Sequence, residues 1–251
     1  HEVIIETPHH SRHMGEMDLD SLTDIVTVYR DRIIDLYKDK RLRYALIFKN
    51  HGKTAGASLE HPHTQLIATP ITPRTIEQEL DSAKEHFRHK ERCLFCDIVQ
   101  NELDQDERIV FQTTNFIAFC PFASRFPFEM RIYPKKHSHD YTLMQSHELR
   151  EFAYVVKTVL LALRRSLDDP AFNFMLHTAP NPVHRPSRPQ YWTTLPYDWH
   201  WHLEIIPRLT RVAGFEWGTG FYINPTPPEV AAQYLRDMVE KIEEERSQED
   251  L

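Results

Sequence analysis

The most informative stretch of this chain is Asn50-His51-Gly52-Lys53-Thr54-Ala55-Gly56-Ala57-Ser58-Leu59-Glu60-His61-Pro62-His63-Thr64-Gln65. It joins a loop of small residues to two histidines that lie one residue apart. Because glycine has no Cβ, such a loop lets backbone N–H groups approach an anion closely. Alternate side chains of a strand share a face, so both imidazoles are expected on one side. The stretch predicts a site for phosphorus chemistry, since neutral imidazole is a good nucleophile near pH 7.

The same stretch resembles the active-site loop of the histidine-triad superfamily. Within that superfamily it is similar to the galactose-1-phosphate uridylyltransferase branch, whose signature is roughly Asn-x-Gly-x-x-x-Gly-x-Ser-x-x-His-Pro-His-x-Gln. A lone His-x-His would be weak evidence, because two histidines on one strand face are more often a structural pair. The wider match indicates function, and it comprises Asn50, Gly52, Gly56, Ser58, His61, Pro62, His63 and Gln65.

Bulk composition limits the class of protein. The chain has 251 residues, which suits one large or two small domains. Its formal charge of −7 argues against a nucleic-acid partner. No apolar run is long enough for a membrane span, and no signal peptide is recognisable. Three cysteines do not make a disulfide framework, so a cytoplasmic protein is expected.

Hydrophobic periodicity reveals a repeat. The first part is predicted as strand, helix, strand, strand over residues 3–6, 19–38, 44–49 and 61–69. The same order recurs over residues 128–133, 148–166, 172–177 and 199–207. Two unrelated sheets are the alternative, but the endings with proline and histidine recur too. The predicted fold class is therefore α+β, with tandem histidine-triad-like units, antiparallel sheets and packed helices.

The predicted domains are a partial N-terminal unit carrying the catalytic loop (1–73), a connecting helix (74–92) and a second unit with a metal site (93–251). The second unit has an extra start, in which Cys93 and Cys96 form a turn ahead of strands at 108–112 and 116–119. The first unit has no equivalent start. Because the chain opens with His1, it is interpreted as N-terminally incomplete, with an incomplete first unit.

Cys93, Cys96, His137 and His200 are the candidate ligands of a zinc ion. A closed set of four Cys and His ligands is typical of structural zinc. The alternative is two small thiols buried in an apolar setting. By the repeat, His10 and His61 are the matching histidines of a first site. The resemblance implies that a cysteine pair from a preceding region completes that site.

Iron is the alternative metal that the resemblance implies for the second half. Some relatives bind iron there through one glutamate and three histidines. The matching positions are Glu85, His137, His200 and His202, although the two cysteines favour zinc. His202 corresponds to His63 in the repeat. It lacks a glycine-rich loop before it, so its predicted role is metal binding or structure.

The resemblance also implies a mechanism. His63 would attack the α-phosphorus of a nucleoside diphosphate sugar, leave a nucleotidyl-histidine and release sugar 1-phosphate. A second sugar 1-phosphate would then accept the nucleotide. Gln65 is assigned a catalytic role as a neutral amide. Asn50, Gly52, Gly56 and Ser58 are predicted to bind substrate through backbone and side-chain donors. Relatives are homodimers, so a homodimer is implied here.

Other functions stay open from the sequence. One is an ADP-sugar or dinucleotide phosphorylase, which transfers an adenylyl group to phosphate. A small histidine-triad hydrolase is disfavoured, because those enzymes usually carry histidine at the position of Gln65. A different class is a non-catalytic, zinc-stabilised nucleotide-binding module. Residues 218–224 are predicted either to contact sugar or phosphate, or to form a plain turn and strand.

Overall fold

The computed structural model describes residues 1–183 and 192–249. Within these ranges the strands are β1 (Glu2–Ile5), β2 (Tyr44–His51), β3 (His63–Thr69), β4 (Ile109–Gln112), β5 (Phe116–Phe119), β6 (Met130–Pro134), β7 (Phe172–His177) and β8 (His202–Pro207). The α-helices are α1 (Leu19–Leu36), α2 (Arg74–Lys90), α3 (Leu94–Gln105), α4 (Ser146–Ser166), α5 (Leu195–Asp198), α6 (Gly214–Thr219) and α7 (Pro228–Glu249).

All strands join one antiparallel sheet in the order β1-β3-β2-β7-β8-β6-β5-β4. The predicted repeat is visible in this order. In the first half, β1, α1, β2 and β3 follow each other along the chain and the strands lie as β1-β3-β2. In the second half, β6, α4, β7 and β8 do the same and lie as β6-β8-β7. The prediction of an α+β fold with tandem units is confirmed.

One face of the sheet is covered by α1 and α4. Leu22, Ile25 and Ile33 of α1 are buried at the spacing of one helix face. Helix α1 begins where the Asp18 carboxylate accepts a hydrogen bond from the Ser21 N–H at 2.8 Å. Helix α7 packs beside α4 and against β4. The main core therefore lies between the sheet and these helices.

The opposite face of the sheet is covered in the second half by α2 and α3, which bury Leu80 and Phe95 against Ile117 and Tyr133. The predicted turn at Cys93 is in fact the start of α3, with Cys93 as its N-cap. The predicted strand at residues 199–207 begins only at His202. In the described part of the chain, no helix is both long and apolar enough to cross a membrane.

Candidate active site

His63 is the first residue of β3 and lies in the wall of a pocket of about 600 Å³. Its side chain is held by a hydrogen bond from Nδ1 to the His61 carbonyl oxygen at 2.8 Å. A carbonyl only accepts, so Nδ1 carries the proton and Nε2 of the neutral ring keeps its lone pair. The residue is 5% exposed. The fold therefore fixes both the position and the tautomer of this imidazole.

A buried ion pair contacts the first two residues of β3. The Lys49 ammonium donates to both carboxylate oxygens of Glu6, at 2.8 and 2.7 Å, and to the His63 carbonyl at 3.2 Å. The Thr64 hydroxyl donates to Glu6 at 2.5 Å. A buried pair of this kind is costly to break because one charge is left uncompensated. Neither Lys49 nor Glu6 was recognised from the sequence, since nothing in their local pattern indicates the contact.

The glycine-rich loop depends on two left-handed residues. Gly52 has φ +80°, and a Cβ there would lie 2.7 Å from the Cβ of Ala171. Gly56 has φ +86° and ends a 3₁₀ turn. The N–H groups of Ala55 and Ala57 donate to the Gly52 carbonyl. Of the predicted backbone donors, the Gly56 N–H is used within the loop, because it donates to the Lys53 carbonyl at 3.1 Å.

The structure brings most of the predicted substrate-binding residues to the pocket. Asn50, Gly52 and Ser58 line it, whereas Gly56 does not. The Asn50 side-chain oxygen accepts a hydrogen bond from Nδ2 of Asn173 at 2.8 Å, which leaves the Asn50 amide NH₂ available. Asn173 comes from β7 of the other half. Local sequence reasoning missed it, because only the pairing of β2 with β7 brings it there.

Gln65 is not among the residues that line the pocket. It lies two residues further along β3, where its side chain forms a 3.0 Å hydrogen bond with Nε2 of His1. The predicted 218–224 segment is not in the lining either. Gly218 and Thr219 belong to α6, and Phe221 and Ile223 are largely exposed. Neither region contacts the pocket that contains His63 in this structure.

Cationic side chains outnumber carboxylates in the pocket lining, but most of the cations are ion-paired. Its lining includes four cationic side chains, from Arg12, Lys49, Lys53 and Arg164, and two carboxylates, from Glu60 and Asp169. The chain as a whole carries a formal charge of −7. Lys49 is paired with Glu6, Arg164 with Glu16 and Asp169, and Arg12 with Asp18. Within the described ranges, Lys53 is therefore the lining cation without an ion pair, and its charge favours an anionic ligand.

The four predicted zinc ligands converge in the second half. The ligand atoms of Cys93, Cys96, His137 and His200 all lie within 4.8 Å of one another. Sγ of Cys96 is 3.3 Å from Nδ1 of His137 and 3.5 Å from Nδ1 of His200. A tetrahedral zinc with Zn–S of about 2.3 Å and Zn–N of about 2.0 Å requires S···N separations of about 3.5 Å. The donor set and its spacing fit zinc.

Contacts within this cluster shift the pKa values of the two thiols. The hydrogen bond between the two thiols raises the pKa of Cys93 and lowers that of Cys96. Nε2 of His137 donates to the Pro196 carbonyl at 2.9 Å, so Nδ1 faces the cysteines. Such a hydrogen bond to the outer nitrogen is how metal-binding histidines are oriented.

The two candidate metal ligands of the first half, His10 and His61, also lie close together. Nδ1 of His61 lies 3.3 Å from Nδ1 of His10, and Nε2 of His61 donates to the Thr7 carbonyl at 2.7 Å. Two nitrogens on one tetrahedral zinc are about 3.3 Å apart, given Zn–N bonds of about 2.0 Å. The spacing suits two ligands of one ion. No third Cys, His or acidic ligand completes this group among the described residues.

The four residues matched to an iron site do not come together in this structure. Glu85 lies on the exposed side of α2, where it bonds Arg88 and His89. His202 is separated from the cysteine cluster and instead groups with Glu79 and His177. Helical periodicity explains the error, because Glu79 lies on the face of α2 toward the sheet and Glu85, six residues later, does not. Nδ1 of His177 lies 3.0 Å from the Glu79 carboxylate.

Comparisons with known proteins agree with this geometry. A family model described as "Domain of unknown function (DUF4921)" matches residues 5–251. A galactose-1-phosphate uridylyltransferase of Thermotoga maritima is 34% identical over 242 residues, which are 94% of this chain and 73% of that protein. The chain belongs to the galactose-1-phosphate uridylyltransferase family. This family also explains the second relative: an ADP-glucose phosphorylase of Arabidopsis thaliana is 35% identical over 238 residues. The chain spans 64% of that protein's length.

Solved structures of the family superpose well. A structure described as uridylyltransferase gives a TM-score of 0.85 at 31% identity and covers 95% of this chain and 74% of that chain. An Arabidopsis thaliana ADP-glucose phosphorylase with bound ADP-glucose gives 0.82 at 34% identity, covering 93% and 72%. The family assignment therefore rests on both sequence and fold.

Proposed function

We propose that this protein moves a nucleoside monophosphate between a nucleoside diphosphate sugar and a sugar 1-phosphate, through a nucleotidyl-His63 intermediate. The observation that carries the proposal is the His63 imidazole itself. Its Nδ1 proton is bonded to the His61 carbonyl, and the residue lies in the lining of the pocket. The named activities of the relatives, galactose-1-phosphate uridylyltransferase and ADP-glucose phosphorylase, support it.

In the proposed first step, Nε2 of His63 attacks the α-phosphorus. The bond from phosphorus to the sugar phosphate breaks, and the sugar 1-phosphate leaves as an anion with the electron pair. In the second step an oxygen of another sugar 1-phosphate attacks the same phosphorus, and the electron pair returns to Nε2. The proton stays on Nδ1 of His63, bonded to the His61 carbonyl, throughout the reaction. Neither step therefore requires a proton transfer. The carbonyl dipole of His61 stabilises the positive charge on the nucleotidylated ring.

The pocket offers donors for the charge that develops on the phosphate oxygens. These donors are the Ser58 hydroxyl, the amide of Asn50 and the Lys53 ammonium, all in the lining. Removing one such donor typically costs about 3 kcal/mol in activation free energy. Gln65 follows His63 by two residues on β3, so the two side chains share a face of the sheet, and its role as a neutral catalytic amide stays a proposal.

For the metal, we propose a structural zinc ion held by Cys93, Cys96, His137 and His200. Zinc bound by four protein ligands stabilises a fold and takes no part in chemistry. It would tie α3 to the ends of β6 and β8.

His10 and His61 are proposed as two ligands of a first-half ion. The proposed homodimer is tested by sedimentation, in which a monomer at micromolar concentration would contradict it.

A second candidate function is adenylyl transfer from an ADP-sugar to inorganic phosphate. It is favoured by the similarity to an ADP-glucose phosphorylase, including its structure with ADP-glucose. Both candidates use the same first step on His63 and differ in nucleobase and acceptor.

The test is to incubate the protein with UDP-glucose or ADP-glucose that is radiolabelled at the α-phosphate. We expect a protein-bound label that is lost in acid and stable in base, as for a phosphorus–nitrogen bond. The better donor identifies the nucleobase. The label should be absent from His63→Asn. Tight nucleotide binding with no label would instead support the non-catalytic module.

A further inference from the structure

Two peptide groups flank His63, and the buried pair of Lys49 and Glu6 contacts both of them. The Glu6 N–H donates to the Pro62 carbonyl at 3.2 Å, which restrains the peptide group before His63. The Lys49 ammonium donates to the His63 carbonyl at 3.2 Å, which restrains the peptide group after it. Both oxygens of the Glu6 carboxylate hold the ammonium, at 2.8 and 2.7 Å. The pair therefore restrains the main chain on both sides of His63.

Further hydrogen bonds extend this restraint to the next residue of β3. The Thr64 hydroxyl donates to Oε1 of Glu6 at 2.5 Å, so it accepts from the Tyr29 hydroxyl, which lies 2.7 Å away. Tyr29 lies on α1, and the Thr64 residue is 0% exposed. The network thus links α1, β2, β3 and the residue after β1. Because charge-assisted hydrogen bonds are short and directional, this network defines the position of His63.

Strand register identifies the counterparts of this network in the second half. His63 begins β3 and His202 begins β8, so the two strands can be compared residue by residue. Their neighbours follow from the pairing of β2 with β3 and of β7 with β8, and from the pairing of β1 with β3 and of β6 with β8. The counterparts of Lys49, Thr64 and Glu6 are, in this order, Leu176, Leu203 and Pro134.

The second half therefore forms the same strands with apolar residues at these positions. All three are buried, and Leu176 and Leu203 are 1% and 3% exposed. Proline has no N–H, so Pro134 cannot make the hydrogen bond that Glu6 makes to the Pro62 carbonyl. Replacing a buried ion pair by apolar side chains is often neutral or stabilising. Stability of the fold alone thus does not require a charged pair in the half that contains the pocket.

Resting on the proposed function, we propose that Lys49 and Glu6 are positioning residues of nucleotidyl transfer. They hold His63 so that Nε2 meets the α-phosphorus of the bound donor. They act only through His63, because the three N–H bonds of the ammonium are used by Glu6 and by the His63 carbonyl. The Glu6 side chain is 0% exposed, so it does not contact the donor either.

The experiment compares His63 labelling with donor binding in the double variant Glu6→Gln/Lys49→Met. This variant removes both charges together, and the glutamine keeps an oxygen that accepts from Thr64. At saturating radiolabelled donor, the labelling rate should fall about 10²-fold, since a shift of about 1 Å at a reacting atom has that effect, while the dissociation constant stays within about threefold. The free energy of unfolding should stay near that of the wild type, because no unpaired charge is left buried.

A second buried ion pair of this chain provides the matched control. Nε of Arg108 lies 2.9 Å from the Glu102 carboxylate, and their side chains are 7% and 3% exposed. This pair joins α3 to the residue before β4, away from the pocket that contains His63. Glu102→Gln/Arg108→Met should therefore label His63 at the wild-type rate.

A milder variant decides the matter if the double variant does not fold. Thr64→Val keeps both charges and removes the hydroxyl that ties Glu6 to β3. Its labelling rate should fall about tenfold with donor binding unchanged, as expected for one lost hydrogen bond. A wild-type labelling rate in this variant would count against the positioning role.

Two results in the double variant would overturn the proposal. They are labelling at the wild-type rate, and a loss of labelling that the control variant shares. A further readout requires no transfer, because long-range ¹H–¹⁵N NMR reports which ring nitrogen of His63 carries the proton. The Nδ1–H form should predominate in the wild type and give way to a mixture in Glu6→Gln/Lys49→Met. A wild type that carries no label would sink the proposed function, whereas the NMR comparison would still decide whether the pair positions His63.

Discussion

The two halves of the sheet place equivalent histidines in opposite environments. His63 and His202 each begin a strand and follow another histidine by two residues. Each donates its Nδ1 proton to the carbonyl of that earlier histidine, at 2.8 Å in the first half and 3.1 Å in the second. His63 opens on a pocket, whereas His202 is fully buried and stacked on Tyr133.

The difference shows that the His-x-His motif does not by itself create a pocket. The motif alone sets the tautomer in both halves. The pocket requires the glycine-rich loop that precedes β3. In the second half, α2 and α3 cover the equivalent place, and Phe95 lies 5.5 Å from His202. Nε2 of His202 is buried there with no hydrogen-bond partner among the described residues, and burial lowers the pKa of this ring to about 3.

The largest expected effect separates the two histidines directly. His63→Asn should lower kcat for nucleotidyl transfer by roughly 10⁴ or more, as removal of a nucleophile does. His202→Asn should keep kcat within roughly tenfold, because a buried ring without access to substrate affects mainly stability. Steady-state kinetics on both folded variants measures this. Equal losses in the two variants would remove the functional distinction between the halves.

The second effect concerns the metal, for which the described residues offer four converging ligands in the second half and two in the first. Cys96→Ser should lose the second-half zinc ion and several kcal/mol of unfolding free energy, on the order expected for a structural site. Metal content by mass spectrometry and thermal unfolding measure this. Cys120→Ser, a buried thiol outside the cluster, is the control and should keep its zinc. An unchanged zinc content in Cys96→Ser would contradict the assignment.

The third effect tests the loop that opens the first-half pocket. Gly52→Ala places a methyl group against Ala171 at a positive φ, so it should cost about 1–3 kcal/mol of unfolding free energy and reduce labelling of His63. Gly218→Ala is the control, since nothing lies within 4 Å of its added Cβ. Chemical denaturation and the labelling rate are the readouts. Equal behaviour of the two variants would show that the loop conformation is dispensable.

The smallest effect is a pH dependence of stability from the first half. The pKa of His13 falls from its ordinary 6.5 to about 3 in the fold, because the ring is buried. The unfolded chain therefore takes up this proton first as the pH falls. Above pH 6.5, His13 does not lower the free energy of unfolding. Below that pH, the free energy of unfolding declines toward pH 3 at up to about 1.4 kcal/mol per pH unit.

His13→Gln should flatten that decline, measured as unfolding free energy at several pH values between 7 and 4. His147→Gln, which alters an exposed histidine, should leave the slope as in the wild type. A slope that is unchanged in His13→Gln would show that this ring is not held neutral.

The local sequence pattern was enough to predict many of the helices and strands. The predicted bounds of β5 (Phe116–Phe119) and β7 (Phe172–His177) coincide with the structure, and α2 begins at the predicted residue and ends two residues earlier than predicted, at Lys90. These segments have strong periodicity or clear turns at both ends. Helix α3 was missed because Cys93 and Cys96 were interpreted as a metal-binding turn, and that spacing also fits the first turn of a helix.

The motif also found the part of the site that is contiguous in sequence, including His63, Asn50 and Ser58. It did not find Asn173 or Asp169. These residues reach the pocket because β2 pairs with β7 and because α4 ends beside them, and such contacts have no signature in the local sequence. Gln65 shows the converse, since a motif position need not line the pocket in the folded chain.

The most direct test of the account is to map the covalent adduct. The protein is mixed with its nucleoside diphosphate sugar, digested with trypsin at alkaline pH and analysed by mass spectrometry. We expect one nucleotidyl group on the peptide of residues 54–74, with fragment ions that place it on His63. An adduct on His202, or turnover by an enzyme that never carries an adduct, would contradict it.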